Sequence, residues 1–365
     1  MFQTAPRRFL RFPVLLTAIL GPSNQHSTVE SSQVDHPIPD LQSPQGPKGD
    51  GGISSGWKRV FIGRHGLRAG WGVGLFLGLY LSLDMLVNHL LDRISALRVV
   101  SPVSVEVGLV REAAELAVIL ASTWGIARVT RRWFGSYGYA PRKAGTRMLT
   151  GAACGLASLT VLIGCLWSTG HMVFDGLQLH GRDVLIYGLA WLVVFVMIGV
   201  LEESLFRGFL QHTLARGVGF WWAALMVSGA FILWHVHNAD ESAVGLLSTG
   251  GASLAFSLSL WYTKSLWWAI GFHASWDWGE SFLYGTPDSG IRVRDFLFRQ
   301  HPQGNPLWSG GAVGPEGSLL LFPLLLLVCL AMWAWWGKRG PRLGARFGFD
   351  RGLDNETCSA IPVHE

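Results

Sequence analysis

The run VLIYGLAWLVVFVMIGVL at residues 184–201 is followed directly by the polar sequence EESLFR at residues 202–207. Its 18 consecutive uncharged residues approach the length of about 20 that a helix needs to cross the hydrocarbon core of a bilayer. Ionisable side chains at the end of such a helix are costly to bury and by default mark a functional site. This stretch therefore predicts a membrane protein with a polar site in or beside the bilayer.

The composition of the whole chain agrees with a membrane location. Of 365 residues, 50% are hydrophobic and 15% are charged, and the mean hydropathy is +0.33. A soluble domain usually carries nearer a quarter charged residues, so the composition argues against a soluble enzyme and against a disordered protein. The 18 Trp residues suit a chain with many membrane–water interfaces. The net charge of +5 is small and scattered, and nucleic acid is not expected as a partner.

Eight segments are predicted to span the membrane. Five lack charged residues and cover residues 148–170, 184–201, 218–234, 242–263 and 318–337. Three weaker segments, residues 67–91, 107–127 and 265–285, are interrupted by ionisable side chains. The predicted fold is all-α: a polytopic integral membrane protein of eight transmembrane helices with an intramembrane catalytic site.

The distribution of Lys and Arg predicts the orientation of these spans. If the amino terminus is cytoplasmic, the connections on the inner side hold 18 basic residues and those on the outer side hold six. This excess follows the positive-inside rule. We therefore expect both termini in the cytoplasm of a multi-pass protein, and we expect its location to be the plasma membrane of a bacterium.

Three regions are expected along the chain. Residues 1–56, which are rich in Pro, Ser, Gln and Gly from residue 21 onward, are predicted to form a disordered leader. Residues 57–337 are predicted to form the membrane domain, with residues 184–285 as its functional core. Residues 338–365 are predicted to form a basic cytoplasmic tail.

Polar groups within the apolar segments form three clusters. These are Glu202-Glu203-Ser204-Leu205-Phe206-Arg207, Phe231-Ile232-Leu233-Trp234-His235 and His273-Ala274-Ser275-Trp276-Asp277. Helical spacing of i, i+4 places two groups on one face, so Glu203 can pair with Arg207, and His273 with Asp277. Glu202 then lies on an adjacent face.

The first two clusters are expected at the same height in the membrane. The glycines at residues 217 and 219 predict a turn centred on Val218. Glu202 lies 16 residues before Val218, and His235 lies 17 residues after it. If the two helices are antiparallel, both side chains lie roughly 25 Å from the turn. A carboxylate and an imidazole at one height can share a water as general base and orienting group. His273 and Asp277 could then donate to a developing oxyanion or complete a metal site.

The three clusters resemble the motifs of the CPBP family of intramembrane proteases, which includes the type II CAAX prenyl endopeptidases. Members carry EExxxR, FxxxH and HxxxN/D, in that order, on separate membrane helices. The resemblance implies peptide-bond hydrolysis within the membrane by an endopeptidase. Glu202 and His235 would activate water, and His273 and Asp277 would stabilise the oxyanion. The implied partners are the lipid bilayer and a membrane-associated peptide or protein substrate.

The supporting residues and the cofactor follow from the same resemblance. Glu203 and Arg207 would shape the site, and Phe231 would pack beside the histidine of its motif. Members are often named metalloproteases, and Glu202, His235, His273 and Asp277 are ligands of types that suit a divalent metal such as Zn²⁺. A glutamate–histidine pair can also orient water without a metal, so the sequence leaves both mechanisms open.

Two other classes of function also account for charged groups in a membrane. A transporter or channel could use the carboxylates and histidines to relay protons or to bind a solute. No internal repeat supports this class. A non-catalytic membrane scaffold is the other class, and the intact set of candidate residues argues against it.

Overall fold

The computed structural model describes residues 62–63, 66–139, 142–238 and 240–338. The predicted leader at 1–56 and the predicted tail beyond residue 338 lie outside the described residues. The α-helices are α1 Ala69–Arg93, α2 Val105–Val129, α3 Ala144–Ser168, α4 Arg182–Glu203, α5 Gln211–Val218, α6 Phe220–His235, α7 Ala243–Thr263, α8 Trp267–Trp278, α9 Pro306–Ser309 and α10 Leu321–Trp336.

Two π-helices extend these helices near the predicted site. The first, Ser204–Leu210, joins α4 to α5, and the second, Gly279–Leu283, continues α8. Short 3₁₀ turns occupy Ser95–Leu97, Phe134–Tyr137 and Pro315–Gly317. The four strands are β1 Ile62–Gly63, β2 Gly66–Leu67, β3 Met172–Leu177 and β4 Phe298–Pro302.

The helices confirm an all-α membrane protein. Four helical segments among the described residues are long and apolar enough to cross a bilayer: Ala69–Arg93, Ala144–Ser168, Arg182–Val218 and Ala243–Thr263. Phe220–His235 and Leu321–Trp336 are shorter apolar helices. Each of the eight predicted spans overlaps a helix, but α2 and α8 are in neither group, so the number of eight spans remains a prediction.

Large apolar side chains cover the outside of the helices. Leu149 and Leu185 are 72% and 68% exposed, and Trp335 is 73% exposed. Exposed apolar area of this extent is unfavourable in water and favourable against lipid acyl chains. The helical surface is therefore suited to the interior of a bilayer.

Helix α8, which carries His273, packs closely against α3 and also contacts α4. Glycines permit the close approach to α3. A Cβ atom added at Gly271 would lie 2.0 Å from the carbonyl oxygen of Met148, and one added at Gly151 would lie 2.1 Å from the carbonyl oxygen of Trp268. Small residues at helix interfaces let membrane helices pack backbone to backbone. The position of His273 thus depends on this glycine contact.

The predicted turn at residues 217–219 is shorter in the structure, because α5 continues to Val218 and only Gly219 separates it from α6. Gly219 links the two helices with φ of 86°, in a region that glycine occupies without strain. The two helices pack against each other beyond this turn. This arrangement returns the chain toward the end of α4, where Glu202 lies.

A small antiparallel sheet connects two loops at the opposite end of the helices. Strand β3, between α3 and α4, pairs with β4, between α8 and α10, with an irregularity between Phe174 and Gly176. His301 and Asp175 form an ion pair of 2.8 Å across the sheet. The loop that follows α8 is consequently fixed to the helical body.

Candidate active site

The acidic pair lies where α4 changes into the first π-helix. Glu202 and Glu203 are the last residues of α4, and Ser204–Leu210 is π-helical rather than α-helical as the spacing predicts. All seven π-helical residues are buried, and Ser204 Oγ donates a hydrogen bond back to the carbonyl oxygen of Val200. π-helical turns inside α-helices occur frequently at functional sites.

Glu203 and Arg207 form the predicted ion pair. The NH1 atom of Arg207 donates to Glu203 Oε1 at 3.1 Å, and both side chains are 0% exposed. The guanidinium carbon lies 4.5 Å from the ring centroid of Phe231 and 5.3 Å from that of Phe256. One carboxylate and the aromatic faces therefore compensate the buried positive charge.

His273 joins the first and third motifs. Its Nδ1 atom lies 3.2 Å from Glu203 Oε1, and its Nε2 atom lies 3.5 Å from Asp277 Oδ2 and 3.8 Å from Glu202 Oε2. The ring of Phe256 stacks on the imidazole with a centroid distance of 5.4 Å. Three carboxylates thus surround one histidine whose ring plane is held by an aromatic neighbour.

His235 is oriented by its own helix. Its Nδ1 atom lies 2.8 Å from the carbonyl oxygen of Phe231, which can only accept a hydrogen bond. The proton therefore resides on Nδ1, and the lone pair of the neutral ring is on Nε2. The rings of Phe231 and His235 are 4.6 Å apart, as expected for side chains one helical turn from each other.

One cavity contains the four predicted catalytic residues. Its wall includes Glu202, His235, His273 and Asp277, and its volume is about 720 Å³ including the space open to its surroundings. Phe231 also lines the cavity, whereas Glu203 and Arg207 are enclosed behind it. The structure therefore brings Glu202, His235, His273 and Asp277 together around one space, and the Glu203–Arg207 ion pair is buried beside it.

The four residues have side chains of types that suit a metal ion, but no three of their ligand atoms all lie within 4.8 Å of one another. A metal requires at least three ligand atoms that converge, and Zn²⁺ binds them at about 2.0–2.2 Å. In the described part of the chain, the only group of His, Cys, Asp and Glu side chains whose ligand atoms all lie within 4.8 Å of one another is Glu280, Asp288 and Glu316. The geometry of the candidate active site thus gives no support to the zinc alternative.

Several residues of the site carry no motif that would identify them from sequence. Phe256 of α7 stacks on His273 and also contacts the Arg207 guanidinium. Asp288 and Glu316 come from loops on either side of β4 and line the same cavity. They are separated from the three motifs in sequence, and only the folded chain brings them to the same space.

Residues 185–279 match the family model described as type II CAAX prenyl endopeptidase Rce1-like. The matched segment runs from α4 through α8 and contains all three motifs. No match to a curated protein is found. The match confirms the family resemblance drawn from the motifs and supports an intramembrane protease with a membrane-associated protein substrate.

Proposed function

We propose that this chain is an intramembrane endopeptidase that hydrolyses a peptide bond with a water molecule activated by Glu202 and His235. The main observation behind the proposal is that α4, α6 and α8 each contribute a polar side chain to the lining of one cavity. The family match over residues 185–279 supports the same reaction class. The substrate is a protein segment that reaches this cavity from the membrane.

Glu202 acts as the general base. It removes a proton from water as the oxygen attacks the carbonyl carbon, and it returns that proton to the amine that leaves. His235 orients the water, because its Nε2 lone pair accepts a hydrogen bond while Nδ1 stays bonded to the Phe231 carbonyl oxygen. General acid–base catalysis by a positioned side chain contributes typically about 10²–10⁴-fold.

His273 and Asp277 stabilise the oxyanion. The Nε2 atom of His273 faces the cavity and lies between the carboxylates of Glu202 and Asp277. When it is protonated, this nitrogen donates to the negative oxygen that forms on the tetrahedral intermediate. Asp277 orients the ring from its position 3.5 Å away. A donor of this kind is typically worth 10²–10³-fold in turnover.

Glu203 and Arg207 act as positioning residues. Glu203 Oε1 contacts both the Arg207 guanidinium and His273 Nδ1. This contact fixes the tilt of the imidazole from behind the cavity. A histidine that rotated freely would hold its Nε2 proton toward the oxyanion only part of the time.

The direct test is proteolysis by the purified full-length protein in lipid vesicles. Two substrates should be offered, a transmembrane peptide and a peptide anchored by a prenylated cysteine, with cleavage sites identified by mass spectrometry. We expect cleavage of at least one substrate by the unaltered protein and none by Glu202→Gln. Cleavage that persists unchanged in Glu202→Gln would overturn the proposed base, and a complete lack of cleavage with solute flux across the vesicles would instead identify a transporter.

A further inference from the structure

Three carboxylates outside the three motifs converge beside the same cavity. Glu280 comes from the second π-helix, Asp288 from the loop after it, and Glu316 from the 3₁₀ turn Pro315–Gly317. Their ligand oxygens all lie within 4.8 Å of one another. Asp288 and Glu316 line the cavity, so this group is accessible from the same space.

Glu280 is the most informative member of the group. Its side chain is 0% exposed, and among the described residues only the Trp276 indole is close enough to interact with its oxygens, without the geometry of a regular hydrogen bond. A Cβ atom added at Gly314 would lie 3.2 Å from Glu280 Oε1 and 2.1 Å from the carbonyl oxygen of Pro287, so the loop backbone closes around the carboxylate. A buried carboxylate without a regular hydrogen bond is costly in its charged form, and binding of a cation removes that cost.

The surrounding hydrogen bonds hold the Glu316 carboxylate and the main chain of both Glu316 and Glu280 in place. Ser289 Oγ donates to Glu316 Oε2 at 2.5 Å, and Ser248 Oγ of α7 donates to the Glu316 carbonyl oxygen at 2.6 Å. The backbone N–H and the hydroxyl of Thr286 both donate to the Glu280 carbonyl oxygen at 2.9 Å. Such outer contacts orient ligands before an ion arrives.

We propose that Glu280, Asp288 and Glu316 bind one hard divalent cation of the Ca²⁺ or Mg²⁺ class. All three donors are carboxylate oxygens, which these ions prefer, and no thiolate or imidazole belongs to the group. Two oxygens bound to one Ca²⁺ at 2.3–2.6 Å can be at most about 5 Å apart, which the observed 4.8 Å limit satisfies. The ion joins the loops on either side of β4 to the end of α8, and none of its three ligands is one of the water-activating residues.

Thermal unfolding of the purified full-length protein tests this site without reference to peptidase activity. The protein is stripped with chelator and then measured with no ion, Ca²⁺, Mg²⁺ or Mn²⁺. We expect at least one ion to raise the unfolding midpoint by roughly 3 °C at a hundred times its dissociation constant. Glu280→Gln, which keeps the shape of the side chain, and Glu316→Gln should abolish the shift, whereas Glu106→Gln, an exposed residue of α2, should keep it.

Direct binding keeps the test decisive if a variant does not fold. Electron paramagnetic resonance should detect one Mn²⁺ ion bound per chain of the unaltered protein. Addition of Ca²⁺ or Mg²⁺ should displace this ion. An unchanged midpoint with every ion, together with no bound Mn²⁺, would overturn the proposal. A cation response that survives in both Glu280→Gln and Glu316→Gln would also overturn it, because the ion would then bind elsewhere.

Discussion

Glu203 and His273 contact each other across two helices, with Oε1 of Glu203 lying 3.2 Å from Nδ1 of His273. The same oxygen accepts a hydrogen bond from Arg207 at 3.1 Å. Both Glu203 and Arg207 are fully buried, so this contact is not exchanged for water. The guanidinium and the imidazole are therefore coupled through a single carboxylate oxygen.

Replacement of Glu202 tests the proposed base. Glu202→Gln keeps the size of the side chain but cannot accept a proton from water, and we expect peptide cleavage to fall by at least about 10²–10⁴-fold. Initial rates on the best vesicle substrate measure the effect. Glu106→Gln is the matched control and should retain full activity. Similar losses in the two variants would mean that the loss does not arise from the base.

The buried ion pair predicts an effect on stability as well as on activity. Arg207→Ala leaves Glu203 buried beside His273 with one partner fewer, and removal of one member of a buried pair costs about 3–5 kcal/mol. Expression level and the unfolding midpoint should therefore fall together with turnover. We expect the double exchange Glu203→Arg with Arg207→Glu to regain part of the stability but no activity, since His273 Nδ1 would then face a guanidinium. Full recovery of activity would show that the pair is only structural.

The tautomer of His235 predicts that replacing the ring lowers turnover while the protein still folds. His235→Asn retains an N–H donor for the Phe231 carbonyl oxygen but has no lone pair at the position of Nε2. We expect a folded protein whose turnover is at least about 10²-fold lower. His301→Asn, at an exposed histidine of β4, is the control and should leave turnover unchanged. Turnover near that of the unaltered protein in His235→Asn would remove His235 from the mechanism.

The glycine contact between α3 and α8 predicts a sensitive position two residues from His273. In Gly271→Ala the new Cβ would stand 2.0 Å from the Met148 carbonyl oxygen, so the helices must separate. Overpacking of this kind typically costs about 1–3 kcal/mol, and the shift also moves His273. We expect both the unfolding midpoint and turnover to decrease. Gly164→Ala lies on α3 with no atom within 4 Å of the added Cβ and should be neutral or slightly stabilising.

Glu241, in the connection between α6 and α7, predicts a pH effect on stability. Burial raises its pKa from 4.5 to about 7, with a smaller contribution from the charge of Glu316, while the hydrogen bond from the Ser242 backbone N–H acts in the opposite direction. Between these values the folded protein binds more protons than the unfolded chain, so this residue makes stability decrease as pH rises from about 4.5 to 7. Unfolding midpoints measured in chelator at pH 5 and pH 8 should differ less in Glu241→Gln than in the unaltered protein. An equal difference in both would contradict the assignment.

Much of the fold follows from patterns that are local in the sequence. The uncharged runs predict helices because a segment in lipid must satisfy its backbone hydrogen bonds internally. The pairs Glu203–Arg207 and His273–Asp277 follow from helical spacing alone. The turn before α6 follows from its glycines, and it places Glu202 and His235 on helices that face one cavity.

The remaining features depend on contacts between distant segments. The π-helix after Glu203 alters a helix without a break in its apolar pattern, so periodicity does not reveal it. Phe256 and Glu316 reach the cavity from segments that carry no motif, and their roles arise from packing. The convergence of Glu280 with two loop carboxylates likewise needs the three-dimensional fold, because no short spacing links the three residues.

The location of Arg207 on the same helical segment as Glu203 has a consequence for biogenesis. The segment Arg182–Val218 is synthesised and inserted before the rings of Phe231 and Phe256 exist to cover the guanidinium. An isolated arginine at the centre of an inserting helix costs about 2.5–3.5 kcal/mol. Because its counter-ion is four residues earlier, the charge is neutralised as soon as this segment forms, and the aromatic enclosure is added when later helices arrive.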